Sequence, residues 1–220
     1  MELLLVRHAL PVRIDNSATG DEADPVLSEL GWRQSQALAD WLIGPLSGGP
    51  PAEPVDAVYA STRARARQTA EPLAERLGQD LRIEPGLDEY DDGEPEYIPI
   101  EELKATGDPR WHELISEDAI PGPEAFMAQV VTGVDRIIAA HPGQRVVAFC
   151  HGGTICAYMA HLLGLDRILF FEAAYTSVNR VLAASTGERS LGSLNETAHL
   201  RVAGVPNYLP EGLPKNLSGD

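Results

Sequence analysis

The segment RVVAFCHGGTICAYMAHLLG occupies residues 145–164 and changes character once, at His151. Its first six residues form a short apolar run of the kind that fills a buried strand. Two glycines follow, and after them a longer apolar stretch suits a helix. A strand that passes directly into a helix is the building unit of α/β proteins. The segment therefore predicts an α/β fold with His151 at the junction of a strand and a helix.

The rest of the chain continues this alternation. Strands are predicted for five other apolar runs: ELLLVRH at 2–8, DAVYAS at 56–61, DLRIEP at 80–85, SVNRVLAAS at 177–185 and HLRVAG at 199–204. Helices are predicted where apolar residues recur at helical spacing: 28–42 with Ser28 as N-cap, 62–78, 121–141, and shorter ones around 98–105 and 109–117. Polar and breaker residues predict loops at 13–24 and 47–54. Because strands that alternate with helices pair in parallel, we expect a mostly parallel sheet.

The length of 220 residues suits a single domain, and no internal repeat or linker divides the chain. We expect that domain to span residues 1–205. Within it, residues 91–123 are irregular, acidic and rich in proline and glycine, and they are expected to cap the strand ends and to set substrate choice. Residues 206–220 contain three prolines and two glycines, which predicts a C-terminal coil.

The charge balance limits the classes of partner. With 17 lysines and arginines against 33 aspartates and glutamates, the net charge is −16. A surface of that sign repels nucleic acid and anionic lipid, so neither nucleic acid nor a membrane is expected as a partner, and a phosphate site has to be a local basic pocket. The two cysteines, Cys150 and Cys156, fit neither a disulfide framework nor a zinc site. With no signal peptide or membrane-length apolar run, these features predict a cytoplasmic protein.

Residues with catalytic chemistry end three of the predicted strands. Arg7 and His8 end the first strand, Ser61 ends the second, and His151 follows the strand at 145–150. Because the carboxyl ends of parallel strands lie at one edge of a sheet, these residues are expected to converge. A neutral imidazole can attack phosphorus, a guanidinium can neutralise the phosphoryl oxygens, and free N–H groups at a glycine-rich helix start favour an anion. Taken singly, each histidine is explained at least as well as a buried residue satisfied within the sheet.

Two further segments offer the groups that such chemistry still needs. Arginines at 63, 65 and 67 begin the second long helix, where alternate positions face opposite sides, and Arg65 is the best placed to reach the site. The acidic run LDEYDDGE at 87–94 offers a carboxylate that can protonate a leaving oxygen and then activate water. Glu89 is the preferred acid; those that compete with it are Asp88, Asp91 and Asp92.

Together these motifs resemble the histidine phosphatase superfamily, the phosphoglycerate mutase-like proteins of branch 1. LVRHA at 5–9 is similar to that family's Arg-His-Gly run, and YASTRARARQTAEPLA at 59–74 to its Ser-x-x-x-Arg-Ala-x-Gln-Thr-Ala segment. FCHGGTICAYMAHLLG, DPVLSELGWRQSQAL and TSVNRVL are similar to its second histidine segment, an early helix and a late strand. The motifs occur in the family's order, so the combination is far more specific than a lone short pattern.

The resemblance implies a three-layer sandwich with helices on both sides of a mostly parallel central sheet. It also implies a metal-independent phosphatase that needs no cofactor and hydrolyses a small phosphorylated substrate, with His8 as the phosphorylated nucleophile and Glu89 as acid and then base. The residues that it assigns to the phosphate pocket are Arg7, Arg65, His151 and Gly152. Those that it assigns to the substrate entrance are Arg13, Asn16, Ser17, Thr19 and Gly20.

Two departures from the family pattern leave alternatives open. Ala9 stands where the family usually has glycine, and alanine is strained there if the backbone needs a positive φ. The acid loop lacks the mutases' Leu-Asn-Glu-Arg-His-Tyr-Gly run, which argues against a phosphoglycerate mutase-like phosphotransferase; a non-catalytic phosphate-binding member is the third possibility. No metal site is predicted, because metal-ligand spacing is lacking at the other histidines: His112, His141, His161 and His199. For the oligomeric state, a homodimer is expected only as the commonest arrangement.

Overall fold

A six-stranded sheet lies at the centre of the computed structural model, which describes residues 1–44, 53–90, 93–116 and 119–208. The strands are β1 (Glu2–Arg7), β2 (Ile14–Asp15), β3 (Ala57–Ala60), β4 (Leu81–Ile83), β5 (Glu96–Tyr97), β6 (Arg145–Cys150), β7 (Val178–Ala183) and β8 (Arg189–Glu196). Six of them form the sheet in the order β4-β3-β6-β1-β7-β8. The pairs within β4-β3-β6-β1 are parallel, and β7 and β8 add antiparallel partners at one side. The predicted mostly parallel sheet is confirmed.

Helices cover both faces of this sheet. They are α1 (Glu29–Ile43), α2 (Ala64–Leu77), α3 (Ile100–Thr106), α4 (Arg110–Leu114), α5 (Pro123–Ala140), α6 (Gly152–Leu163) and α7 (Ala198–Ala203). Successive side chains of a strand point to opposite faces. In β1, Leu3 and Leu5 accordingly pack in a core cluster with α5 and α6, whereas Leu4 and Val6 pack with α1 and α2. All four are fully buried, so the fold is the three-layer sandwich that the sequence predicted.

The register of the parallel strands determines where the catalytic candidates lie. Arg7 of β1 is paired with Cys150 of β6, and Ala60 of β3 with Phe149 of β6. The next residues along each strand, His8, Ser61 and His151, therefore leave the sheet at the same edge. Their backbones are joined there, because His8 donates its N–H to the carbonyl of Cys150, and Ser61 donates to that of Phe149.

Capping residues fix the long helices on either side of the site. The Ser28 hydroxyl accepts the backbone N–H of Gly31 at 3.0 Å, so the predicted N-cap of α1 is confirmed. Helix α2 ends at Gly78, whose φ of 62° is a left-handed conformation that glycine adopts without strain. Helix α5 begins at Pro123, as expected for a residue that lacks an N–H and suits the first turn.

The strand predicted at 199–204 is wrong, because the chain forms helix α7 there and stops at Gly204. Leu200 is 3% exposed and Val202 is 74% exposed. Residues two apart share a face of a strand but lie on nearly opposite sides of a helix, so this difference in burial suits only the helix. The last strand is instead β8, an edge strand whose serines, glycine and asparagine give it little strand character in the sequence.

The predicted cap contains short elements, among them the two short helices predicted around 98–105 and 109–117. Strand β5 pairs with β2 through Ile14 and Tyr97, and α3 and α4 follow it. No helix in the described ranges is long and apolar enough to cross a membrane. Residues 47–52 of the predicted loop and 209–220 of the predicted tail lie outside the described residues.

Candidate active site

His8 lies directly after β1 and is 2% exposed. Its Nδ1 is 2.8 Å from the carbonyl oxygen of Ala9. Because a carbonyl only accepts, Nδ1 carries the proton and Nε2 keeps its lone pair. Burial, and then the charges of Arg65 and Arg7, hold the pKa of His8 well below its usual value near 6.5. At neutral pH the ring is therefore an uncharged imidazole with one nucleophilic nitrogen.

His151 follows β6 and faces His8, with 5.2 Å between the ring centroids. Its Nε2 is 2.8 Å from the hydroxyl of Ser61, which also accepts the backbone N–H of Arg63 at 3.3 Å. Burial and the charge of Arg65 lower the pKa of His151 as well. Among the described residues, its buried Nδ1 has no hydrogen-bond partner. We infer that the Ser61 hydroxyl donates its proton to Nε2, which leaves the ring proton on Nδ1 as a donor that an entering anion would satisfy.

Arg7 is held from two sides at the end of β1. Its Nη1 donates to Glu101 Oε1 at 3.1 Å and to the carbonyl of Ala173 at 2.6 Å. The guanidinium carbon lies 4.0 Å from the ring centroid of Tyr175, whose hydroxyl donates to Glu101 Oε2 at 2.5 Å. Burial and the Glu101 charge raise the pKa of Tyr175 well above its usual value, so it stays a donor. The guanidinium is thus fixed in one orientation beside His8.

Of the three arginines that begin α2, Arg65 is the one that lines the same cavity as Arg7 and His8. It is 1% exposed, and its guanidinium carbon lies 4.8 Å from the ring centroid of Tyr97. Arg67 is exposed, as its alternate position predicted. Arg63 is instead 7% exposed, pairs with Glu22, and carries a charge that helps to lower the pKa of His151.

Glu89 lies in this cavity, where its side chain contacts the first turn of α6. Its Oε2 accepts the backbone N–H of Gly153 at 2.8 Å. A Cβ at position 153 would lie 2.4 Å from Glu89 Oε1, so only glycine allows the carboxylate to come this close. Asp88, a competing acid, instead binds the backbone N–H and hydroxyl of Thr62, at 2.7 and 2.8 Å. The other two competitors, Asp91 and Asp92, lie outside the described residues.

The cavity lined by Arg7, His8, Arg65 and Glu89 has a volume of about 630 Å³ and also includes Gly152 in its lining. His151 is fully buried beside His8 and is not one of the lining residues. The structure does not bring Arg13 and Asn16 to it. Arg13 pairs with Glu96 and Glu102 at the surface, and Asn16 donates to the carbonyl of Glu22. Arg13 thus binds the cap next to the cavity, because Glu96 is one of the lining residues. A role for its loop at the entrance stays a prediction.

Ala9 is accommodated without backbone strain. Its φ is not positive, its N–H donates to the Thr69 hydroxyl at 2.9 Å, and its carbonyl holds His8. A strained position instead occurs at Thr176, a β-branched residue with φ of 54°. The N–H of Thr176 donates to the carbonyl of Arg7 at 3.0 Å. The unusual backbone thus supports the segment that presents both Arg7 and His8.

A profile of the histidine phosphatase superfamily (branch 1) matches residues 3–197. The chain belongs to this superfamily. Bifunctional protein Rv2228c of Mycobacterium tuberculosis is 33% identical over 208 residues, which cover 90% of this chain and 54% of that protein. The chain therefore spans about half the length of the curated relatives it matches.

Two phosphatase structures resemble this superfamily member in fold. Phosphoserine phosphatase from Entamoeba histolytica, in complex with 3-phosphoglyceric acid, has a TM-score of 0.66 at 21% identity and matches 90% of this chain and 98% of its own. Mycobacterial glucosyl-3-phosphoglycerate phosphatase Rv2419c, in complex with VO3, has a TM-score of 0.63 at 24% identity and matches 89% and 99%. At this level of identity, the similarity establishes the shared fold.

Sequence reasoning missed two groups of this histidine phosphatase site, Tyr175 and Glu101. Tyr175 directly precedes the motif at 176–182 that resembles the family, so the motif pointed to its neighbourhood. Glu101 had no such signal, because Glu102 beside it is chemically identical yet pairs with Arg13 at the surface. Within the described ranges, no group of three or more His, Cys, Asp or Glu side chains could hold a metal ion.

Replacing Glu101 with glutamine is expected to destabilise the protein by about 3 kcal/mol, because it leaves the buried Arg7 charge without its carboxylate. Saturating inorganic phosphate should raise the Tm of Glu101→Gln by more than it raises the Tm of the wild type, because the anion supplies the missing negative charge. Thermal denaturation with and without phosphate tests this. Glu102→Gln is the matched control and should change Tm little; equal phosphate-induced shifts in wild type and Glu101→Gln would contradict the prediction.

Stability is expected to fall as the pH drops from 7 to 5.5. Burial lowers the pKa of His8, His151 and His199, the last to about 4, whereas in the unfolded chain each titrates near its usual value. Below that value the unfolded chain binds protons that the folded chain does not, so the free energy of unfolding decreases. Each imidazole is expected to contribute slightly more than about 1 kcal/mol to the loss between these two pH values.

Urea denaturation at the two pH values measures this loss, which should total about 4 kcal/mol. His199→Gln should remove roughly a third of it. The exposed His112 gives the control His112→Gln, which should retain the full loss. Equal unfolding free energies at pH 7 and 5.5 would show that the imidazoles are not kept neutral by the fold.

Proposed function

We propose that this protein is a metal-independent phosphatase that hydrolyses a phosphomonoester through a phosphohistidine on His8. The observation that carries the proposal is the state of that ring: its proton is held on Nδ1 by Ala9, and its lone pair on Nε2 lies in a cavity lined by Arg7 and Arg65. A nucleophile that is neutral at pH 7 needs no further activation to attack phosphorus.

In the first step, His8 Nε2 attacks phosphorus and the bond from phosphorus to the ester oxygen breaks. Arg7 and Arg65 neutralise the phosphoryl oxygens, and His151 donates to one of them through Nδ1. Glu89 supplies the proton that the leaving oxygen takes up, so the product departs as an alcohol. Its place at the N-terminus of α6 puts the carboxylate beside the phosphate end of the cavity.

In the second step, water attacks the phosphohistidine while Glu89 accepts one of its protons. The bond from Nε2 to phosphorus breaks, which returns His8 to its starting state and releases inorganic phosphate. Holding the nucleophile, two cations and the carboxylate in one cavity converts both steps into reactions between positioned groups. The catalytic unit proposed here comprises residues 1–205, with 91–123 as its cap.

The first experiment measures phosphate release from 4-nitrophenyl phosphate by the full chain in excess chelator. We expect turnover to persist, and a protein incubated with a labelled phosphodonor should carry an acid-labile, base-stable label. Phosphate binding with neither turnover nor label would instead favour a non-catalytic member. Transfer of the label to phosphoglycerate faster than to water would favour a mutase.

A further inference from the structure

The cavity changes character away from its phosphate end. The cap contributes Ile98, Ile100 and Leu103, and the loop that follows α6 contributes Leu169, Phe170 and Phe171. Leu114 and Ile115 extend the same wall toward the opening. A volume of about 630 Å³ is large enough for a drug-sized molecule. With the phosphate of an ester beside Arg7, His8 and Arg65, its leaving group would lie against the apolar wall.

The charged residues that line this outer part carry an excess of negative charge. The acids are Glu94, Glu96, Glu113 and Glu172, and the arginines are Arg110 and Arg167. Arg110 is paired with acids, whereas the contact of Arg167 is to a backbone carbonyl. Two of the four acids are paired as well, Glu96 with Arg13 and Glu172 with Lys104. Arg110 Nη2 is 2.8 Å from Asp108 Oδ2 and its Nη1 is 3.3 Å from Glu96 Oε2. Arg167 donates from Nη2 to the carbonyl of Ile115 at 3.2 Å.

This arrangement separates the charge requirements of the two ends. A phosphate dianion is balanced by Arg7 and Arg65 at the inner end. A second anionic group on the same molecule would lie among apolar side chains and near Glu94 and Glu113, where it would lose hydration and meet charge of its own sign. Alkyl or aromatic carbon, in contrast, gains from burial against Ile100 and Phe170.

We infer that the substrates are phosphomonoesters of apolar alcohols that carry no second negative charge. The inference rests on the proposed phosphatase activity and narrows its substrate class. It sets this chain apart from proteins that act on phosphoserine or phosphoglycerate derivatives, whose leaving groups carry a carboxylate. The cap supplies most of the apolar wall, so the cap is where the selectivity is determined.

Two matched pairs of substrates test the inference. n-Hexyl phosphate should exceed methyl phosphate in kcat/KM by at least about 30-fold, because each buried methylene contributes roughly threefold to fourfold. n-Hexyl phosphate should also exceed 6-phosphohexanoate, which ends the same chain in a carboxylate, by at least about 10-fold. Equal values within either pair, or a preference for the carboxylate, would overturn the inference.

Two variants test separately whether the apolar side chains and the acids of the outer cavity cause these substrate preferences. Leu114→Ser should lower the hexyl-to-methyl ratio about threefold. Leu163→Ser is its control, because Leu163 lies on α6 outside the cavity lining with similar exposure, 44% against 40% for Leu114. Glu113→Lys should raise kcat/KM for 6-phosphohexanoate relative to n-hexyl phosphate by about threefold. Unchanged ratios in both Leu114→Ser and Glu113→Lys would contradict a role for this surface.

A binding measurement separates this inference from the proposed reaction. By calorimetry, wild-type protein should bind n-hexyl phosphonate at least about 10-fold more tightly than 6-phosphonohexanoate, neither of which can be hydrolysed. Tighter binding of n-hexyl phosphonate, without hydrolysis of any phosphate ester, would contradict the proposed function but support the inferred class of ligand. Equal hydrolysis of methyl phosphate, n-hexyl phosphate and 6-phosphohexanoate would support the proposed function but contradict the inferred class of substrate.

Discussion

Replacing His8 with alanine is expected to lower kcat/KM for 4-nitrophenyl phosphate by about 10⁴-fold or more, because it removes the atom proposed to form the covalent intermediate. The ring is buried and neutral, with Nε2 unprotonated, so no other imidazole in the cavity offers the same nitrogen. His151 is the nearest candidate, but its Nε2 is occupied by the Ser61 hydroxyl.

Three measurements keep this prediction distinct from a simple loss of folding. The His8→Ala protein should still show a rise in Tm with inorganic phosphate, since Arg7 and Arg65 are retained. It should take up no acid-labile label from a phosphodonor. The control His161→Ala, at an exposed position on α6, should keep activity within about threefold. Activity above about 1% of wild type in His8→Ala would refute the assignment of the nucleophile.

Replacing Glu89 with glutamine is expected to lower kcat/KM for n-hexyl phosphate by about 10² to 10⁴-fold. The alkoxide leaving group needs a proton, and the amide cannot supply one. For 4-nitrophenyl phosphate the same parameter should fall less than about 10-fold, because nitrophenolate is stable without a proton. Because kcat/KM includes only the steps up to the first irreversible one, comparing the two substrates isolates proton donation from the later attack of water.

The second half of the reaction gives an independent readout in the same variant. With 4-nitrophenyl phosphate, Glu89→Gln should release one equivalent of nitrophenol in a burst and then turn over slowly, because water lacks its base. Asp88→Asn is the control: an amide can still hold Thr62, so both phases should resemble the wild type. A burst in Asp88→Asn and none in Glu89→Gln would assign the acid to Asp88 instead.

The placement of His8 and His151 could be predicted from sequence for a simple geometric reason. Both follow short apolar runs, which in a chain that alternates strands with helices predict buried parallel strands, and such strands end at a common edge. The two residues were therefore expected to meet although 143 positions apart, and their rings lie 5.2 Å from each other. Alternate helix positions indicated only that the three arginines could not all face one ligand; Arg65 was preferred because it lies one turn into the helix.

The strand wrongly predicted at 199–204 shows where local pattern fails. Leu200 and Val202 suit a strand by composition, and what makes the segment helical is the packing of Leu200 with Ala37 of α1 and Val205. Propensity in so short a segment is weak, and tertiary contacts override it. The exposed edge strand β8 was missed for the converse reason, since its pairing with β7 compensates for residues of low strand propensity.

The sequence by itself predicted the α/β alternation and the common edge at which the strands end, because these follow from apolar periodicity and strand direction. The roles proposed for His8, Arg7 and Arg65 came from the resemblance to the family. Only the tertiary structure decided which nitrogen of His8 carries the proton, which of two adjacent glutamates reaches Arg7, and which side chains of the cap line the cavity. Those features depend on contacts between residues such as Glu101 and Tyr175, which are 74 positions apart in the chain. Distances of that kind are set by the folded chain as a whole, and no local pattern records them.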